Sequence, residues 1–271
     1  MSEIAEISKH PIANIAARSR VLIDNLEKVG GHDKPASVAL PSRTDALIGW
    51  WDPSLGSVND TTVTSLAYTN GYTTLDHAQT STTTALEDLN GLVCWYLDGV
   101  NDRVSTSDID STGTAFPLNT NNVTFTIEGW VRSNGGWLNN GNWWNMGFNS
   151  AYRNRFTSSG NLWNYPKTAR QTSGTFATNT WWHITVTMTA LAGNSSRFGT
   201  ITVYKNGQLM QQWDNTDRDP NQSGRNYFWG GYTSTGESGR FYLGMHRRYT
   251  VALTAAEVEA NFDLEKAQYG Y

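Results

Sequence analysis

Two hydrophobic periodicities divide the chain. Over residues 2–29, Ile12, Ile15, Leu22, Leu26 and Val29 recur at alternating three- and four-residue intervals, with Ser19 filling the remaining seam position, which predicts an amphipathic helix. Pro11 suits its first turn, and Gly30-Gly31 supplies a stop. A helix of this length is marginal alone in water, so its stripe needs cover, either from the rest of the chain or from another chain. Ile12, Ile15, Leu22, Leu26 and Val29 are therefore the candidate docking or oligomerisation arm. Residues 32–43, with Pro35 and Pro41, read as an extended linker, because proline holds itself and its predecessor in extended geometry.

Beyond Thr44 the period falls to two. Phe125, Ile127 and Val131 alternate with Thr124, Thr126, Glu128 and Trp130, and Trp182, Ile184, Val186 and Met188 alternate with Trp181, His183, Thr185 and Thr187. Both patterns predict half-buried antiparallel strands. Ile201 and Val203 lead into Asn206-Gly207, and Leu209 begins the return, a strong hairpin signal because both turn residues tolerate positive φ. Thr254 and Glu257 form a capping box that opens a short helix from about Ala255 to Lys266. The expected architecture is mainly β, a two-sheet antiparallel jelly-roll sandwich over residues 46–271, with a helical arm and linker over 1–45 and a short C-terminal helix.

Composition narrows the function classes. Lys and Arg total 20 against 24 Asp and Glu, a net charge of -4, which argues against a phosphate-backbone partner and so against nucleic acid. No window approaches the ~20 consecutive apolar residues of a membrane-spanning helix, and the first thirty residues lack a charged-then-apolar leader pattern, so neither membrane nor secretion is expected. Cys94 is the single cysteine, which removes any internal disulfide; in its apolar run it reads as an inert buried thiol.

Several ordered segments resemble the laminin G-like and pentraxin-like branch of the concanavalin A-like lectin and glucanase superfamily. Ala46-Leu-Ile-Gly-Trp-Trp-Asp52 is similar to its opening strand, and Leu97-Asp-Gly-Val-Asn-Asp-Arg-Val104 to its phenylalanine-Asp-Gly-x-Asp-Asp-x-Val element. The 126–131 segment resembles its next core strand, Trp182-His183 its tryptophan-His strand, Tyr204-Lys-Asn-Gly207 its Tyr-x-Asn-Gly hairpin, and residues 243–258 its closing strand and Leu-Thr-x-x-Glu helix. The resemblance covers roughly residues 46–265 and implies a concanavalin A-like sandwich. It constrains function weakly, because such sandwiches serve lectins, hydrolases and structural modules alike.

An enzyme of this kind needs two carboxylates flanking a glycosidic bond, which the glucanase branch places as Glu-x-Asp-x-x-Glu on one strand. No such segment occurs: Glu87 and Asp88 precede the Asn90-Gly91 turn, and Glu257, Glu259 and Glu265 fall in the terminal helix, where a solvated face is the common role. His10, His32, His77, His183 and His246 show no metal-ligand spacing. Asp98, Asn101 and Asp102 are candidate calcium ligands in a glycine-containing loop, set against the commoner role of such residues as turn caps; no other cofactor is expected. Across residues 134–152, Trp137, Trp143, Trp144 and Tyr152 alternate with Gly and Asn, and Trp229 stands in a second aromatic-glycine stretch. Flat rings stack on sugar faces and Asn amides satisfy hydroxyls, so these five residues are a candidate glycan platform, with interface or core packing the competing role.

Three readings follow. The leading one is a non-catalytic virion structural protein, a phage capsid decoration or tail component made in the host cytoplasm without a signal peptide, its arm docking onto other virion proteins or forming a homo-oligomer. The alternative is a carbohydrate-binding module or adhesin recognising surface glycans through the Trp-rich loops. A divergent glycoside hydrolase is the weakest.

Overall fold

The computed structural model describes residues 41–55, 62–64, 76–79, 86–99, 102, 104–106, 124–137, 141–146, 152–165, 170–190, 198–214, 227–229 and 240–271. The predicted arm, Ile12 to Val29, and most of the linker lie outside the described residues.

The strands are β1 (Leu47–Trp51), β2 (Thr62–Thr64), β3 (Asp76–Gln79), β4 (Leu86–Leu89), β5 (Leu92–Asp98), β6 (Val104–Thr106), β7 (Phe125–Ser133) and β8 (Gly141–Met146). They continue as β9 (Tyr152–Phe156), β10 (Leu162–Tyr165), β11 (Arg170–Gln171), β12 (Trp181–Ala190), β13 (Phe198–Lys205), β14 (Gln208–Asp214), β15 (Tyr227–Trp229) and β16 (Arg240–Tyr249), before helix α1 (Ala255–Glu265). They pair antiparallel in two eight-stranded sheets. The first runs β14-β13-β12-β7-β16-β5-β4, with β1 paired to the far half of β16; the second runs β11-β10-β9-β8-β15-β6-β3-β2.

One apolar cluster joins the sheets: Ile127, Val131, Ile184, Val186, Ile201, Val203 and Leu243 of the first meet Val104, Phe156 and Leu162 of the second. Shaving one of the isoleucines or leucines among these to alanine costs on the order of 2–5 kcal/mol, the lost transfer energy plus the cavity left behind. This is the interior that period two predicted. Asn206 and Gly207, at φ 51° and 77°, make the two-residue turn between β13 and β14, the left-handed pair that lets a tight hairpin match strand twist.

The central strands of the first sheet, β7, β12 and β16, are buried on both faces rather than half-buried. Thr126, Glu128, Trp130, His183 and Thr185 are all fully buried, because α1 and the 3-10 turn at Lys266–Tyr269 cover the sheet's outer face. Alternation along one strand reveals two faces, but a polar residue facing a helix and one facing water look the same in sequence. The predicted capping box is present: the Thr254 hydroxyl accepts the Glu257 N–H while the Glu257 carboxylate accepts that of Thr254. From this start, Val258, Asn261 and Glu265 form a buried stripe one turn apart. Two close approaches seat the tail. Trp130 stacks on Tyr269 with centroids 4.1 Å apart, and the Tyr269 hydroxyl accepts the Met245 N–H at 2.8 Å. Gly244 makes that contact possible, since a Cβ there would stand 2.5 Å from the Tyr269 oxygen.

Candidate functional site

Among the described residues, the outer face of the first sheet holds the strongest concentration of ionisable chemistry, and it is closed. Glu128 lies on β7 directly opposite Arg247 of β16. Its Oε1 accepts from Arg247 Nη1 at 2.6 Å, from the Tyr249 hydroxyl at 2.9 Å and from Asn261 Nδ2 at 3.0 Å. Arg247 Nη2 pairs with Glu265, whose other oxygen accepts the Trp130 indole N–H at 2.8 Å. Burial works against the Arg247 charge, but Tyr249 and Glu128 more than offset it and hold the guanidinium above its usual range. Burial, with the Glu128 carboxylate next, pushes the Tyr249 hydroxyl well up. His183, 3.7 Å from Glu128, is driven by burial down to about 4 and is neutral near pH 7. Glu265, expected on a solvated helix face, is thus an ion-pair partner under the tail, because the stripe of α1 that meets the sheet is partly polar.

On the inner side, His246 stacks on Trp51 at 5.3 Å and the Arg248 guanidinium lies 5.0 Å from the same ring. Burial takes His246 down to about 3.

The second sheet is different. Phe156 of β9 and Leu162 of β10 stand opposite each other and belong to the core. Because side chains alternate, the next pair, Arg155 and Trp163, stands on the face away from the core, with the guanidinium 5.4 Å from the indole centroid. Register extends this pair into a row across four strands: Asn142, Arg155, Trp163 and Gln171. Phe228, Asn145, Arg153 and Tyr165 occupy one register line two residues further along β9. A bulge between Asn142 and Trp144 keeps both rows in phase, since it leaves Trp143 out of the pairing. At about 4.8 Å between strands and about 3.4 Å per residue, the two staggered rows span five strands, roughly 19 Å by 7 Å. Exposure rises along the first row from Arg155, at 9%, through half-buried Trp163 to exposed Gln171 on the edge strand.

Of the residues expected to form an aromatic platform, Trp137 alone has a described side chain. Trp137 is a core residue, 6% exposed, stacked on Phe156 at 3.8 Å and donating its indole N–H to the Phe176 carbonyl at 2.6 Å. Trp144 and Trp229 are paired with each other, and Tyr152 with Met146, at register positions in line with Val104 and Phe156 rather than Arg155. Trp143 falls at the bulge. Sequence reasoning did not single out Arg155 and Trp163, although Arg-Asn-Arg-Phe and Leu-Trp-Asn-Tyr each alternate at period two.

Of the candidate calcium ligands, Asp102 is 2% exposed and its carboxylate accepts the Asp98 backbone N–H at 2.9 Å, a turn-capping role. Asn101 lies outside the described residues, and among the described residues no three His, Cys, Asp or Glu side chains stand together as a metal site.

Residues 96–259 match the laminin G type family model described as the concanavalin A-like lectin/glucanases superfamily. No curated protein matches the chain. Among solved structures, a Trypanosoma rangeli sialidase in complex with 2,3-difluorosialic acid superposes with a TM-score of 0.62 at 16% identity, over 95% of this chain and 40% of the sialidase. The binding domain of Paraclostridial Mosquitocidal Protein 1 gives 0.55 at 19% identity, over 81% of this chain and 52% of that one. The botulinum neurotoxin type G receptor binding domain gives 0.52 at 14%, over 81% and 51%. The chain therefore spans between 40% and 52% of these neighbours, which share its fold and include both binding domains and a sialidase.

Proposed function

The chain belongs to the concanavalin A-like lectin/glucanases superfamily, and on that premise we propose that its sandwich is a non-catalytic carbohydrate-binding module. Its recognition face is the outward face of β8–β11 and β15. The observation that carries this reading is the alignment of Asn142, Arg155, Trp163 and Gln171 beside Phe228, Asn145, Arg153 and Tyr165. Aromatic rings offer stacking surfaces for the apolar faces of sugar rings, and amides and guanidinium groups offer hydrogen bonds to hydroxyls. Strands hold such groups at fixed spacing, so little ordering entropy is spent on binding. The non-catalytic part of the reading is supported by the fate of Glu128 and Glu265: both turn their carboxylates onto Arg247 beneath α1, where a glycosidic bond has no access. Binding of the full chain to a broad glycan array, lost in Trp163→Ala with an unchanged circular dichroism spectrum, is the expected result. An array with no signal for the parent protein sinks the reading.

The virion reading concerns setting rather than ligand, and the two are compatible: a capsid decoration or tail component would display this same face. Its support is the helical spacing of Ile12, Ile15, Leu22, Leu26 and Val29. Light scattering on the full chain tests the arm, with an oligomer expected and a monomer counting against it.

A further inference from the structure

Asn-Gly closes two of the described hairpins, and the two turns differ in what surrounds them. Asn90 and Gly91, at φ 58° and 89°, join β4 to β5 with Leu89 paired to Leu92, and β4 ends the strand order of the first sheet. Both turn residues are exposed, and a Cβ placed on Gly91 would meet nothing within 4 Å. The Gly91 N–H donates to Asp88 Oδ1 at 2.7 Å. Asn206 and Gly207 adopt the same left-handed pair in different surroundings. Asn206 Oδ1 accepts the His183 N–H at 3.0 Å, and the Asn206 N–H donates to the His183 carbonyl at 2.8 Å. Gly207 is buried, with the Glu259 Cα 3.1 Å from where a Cβ would stand. In a third described pair, Asn134-Gly135, the asparagine is half-buried and the Gly135 N–H donates to the Asn179 amide oxygen at 2.9 Å.

We propose that Asn90 is a self-modification site, converting to aspartate or isoaspartate through a cyclic imide with Asp88 as the base. The Gly91 nitrogen attacks the Asn90 side-chain carbonyl carbon while Asp88 takes its proton, and the new N–C bond closes a five-membered ring. Asp88 then returns the proton to the side-chain amide nitrogen, whose bond to carbon breaks as ammonia leaves. Water opens the ring, giving aspartate when it cleaves the new bond and isoaspartate when it cleaves the original peptide bond. Asp88 already holds the proton that must depart, and glycine leaves the nucleophile unscreened. The turn must swing out of its left-handed geometry for nitrogen to reach carbon, and an exposed tip on an edge hairpin does so at small cost. At Asn206 the same swing breaks both hydrogen bonds to His183. At Asn134 the nucleophile's N–H faces an amide oxygen, which is no base. Conversion at Asn90 places a third carboxylate beside Glu87 and Asp88, and isoaspartate adds a backbone carbon to a two-residue turn whose strands carry Leu86 and Trp95 into the core.

The test is to age the full chain in neutral buffer and map it by proteolysis and tandem mass spectrometry, with electron-transfer fragments separating isoaspartate from aspartate. In the native protein Asn90 is expected to convert on the order of tenfold faster than Asn206 or Asn134. This ranking should collapse in urea, where only the sequence neighbours remain. Asp88→Ser, which keeps an acceptor for the Gly91 N–H but no base, should slow Asn90 several-fold and leave the other two sites unchanged. If Asp88→Ser loses the native circular dichroism spectrum, Asp88→Asn carries the test. Native conversion of Asn206 or Asn134 as fast as Asn90 overturns the proposal, and so does an Asn90 rate that the Asp88 substitution leaves equal to the parent's.

Discussion

Replacing Glu128 by alanine should destabilise the protein by about 3–5 kcal/mol, the penalty for stranding a buried cation. The magnitude follows from what the carboxylate holds. Its Oε1 receives Arg247 at 2.6 Å, Tyr249 at 2.9 Å and Asn261 at 3.0 Å, and Glu128, Arg247 and Tyr249 are all fully buried. Without it, Arg247 keeps Glu265 and the Trp50 ring, and three neutral donors, Tyr249, Asn261 and Thr185, lose an acceptor. Each lost acceptor would cost about 1–3 kcal/mol in isolation, but water entering the vacated space recovers part of it, so the charge term sets the scale. For a domain of this size the loss lowers Tm by roughly 6–20 °C, at about 2–4 °C per kcal/mol. Thermal and urea melts followed by tryptophan fluorescence read it, with an unchanged urea slope showing that the loss is one of stability rather than of cooperativity. Glu128→Leu, Arg247→Met and Glu265→Gln together should recover most of it, because apolar groups of similar size replace buried ion pairs at little cost. A Glu128→Ala melt within 1 °C of the parent would refute the reasoning, since Arg247 would then have found solvent or another partner at no cost.

Two further outcomes follow from buried titratable groups. Burial lowers His183 to about 4 and His246 to about 3, so the unfolded chain takes up protons that the native one does not; stability should fall with pH from about 6.5 down through those values. His183 contributes about 3 kcal/mol and His246 about 5 kcal/mol across that window. Urea midpoints at stepped pH check it, and a flat profile between pH 6.5 and 4.5 contradicts it. Cys94, pushed by burial up to about 12, should resist a thiol reagent at pH 8 in the native protein and react at once in denaturant; rapid native labelling would show that β5 opens.

The local pattern of the sequence determined strands β7, β12, β13 and β14, the Asn206-Gly207 hairpin and the capping box at Thr254, because backbone geometry, turn sterics and helix-end hydrogen bonds depend on residues a few positions apart. It also marked the apolar interior, since Ile127, Ile184 and Val203 face one way at period two. Only the tertiary structure decided what the alternate positions meet. Glu128 and Trp130 show the same polar-tolerant spacing whether water or α1 covers them, and the helix that covers them starts more than a hundred residues later. Trp137 carries no local sign that Phe156 and the Phe176 carbonyl will enclose it. The rows through Arg153 and Arg155 exist because short strands with a bulge settled into one register, and that choice is made by pairing energies summed across β8 to β11 rather than by any one segment.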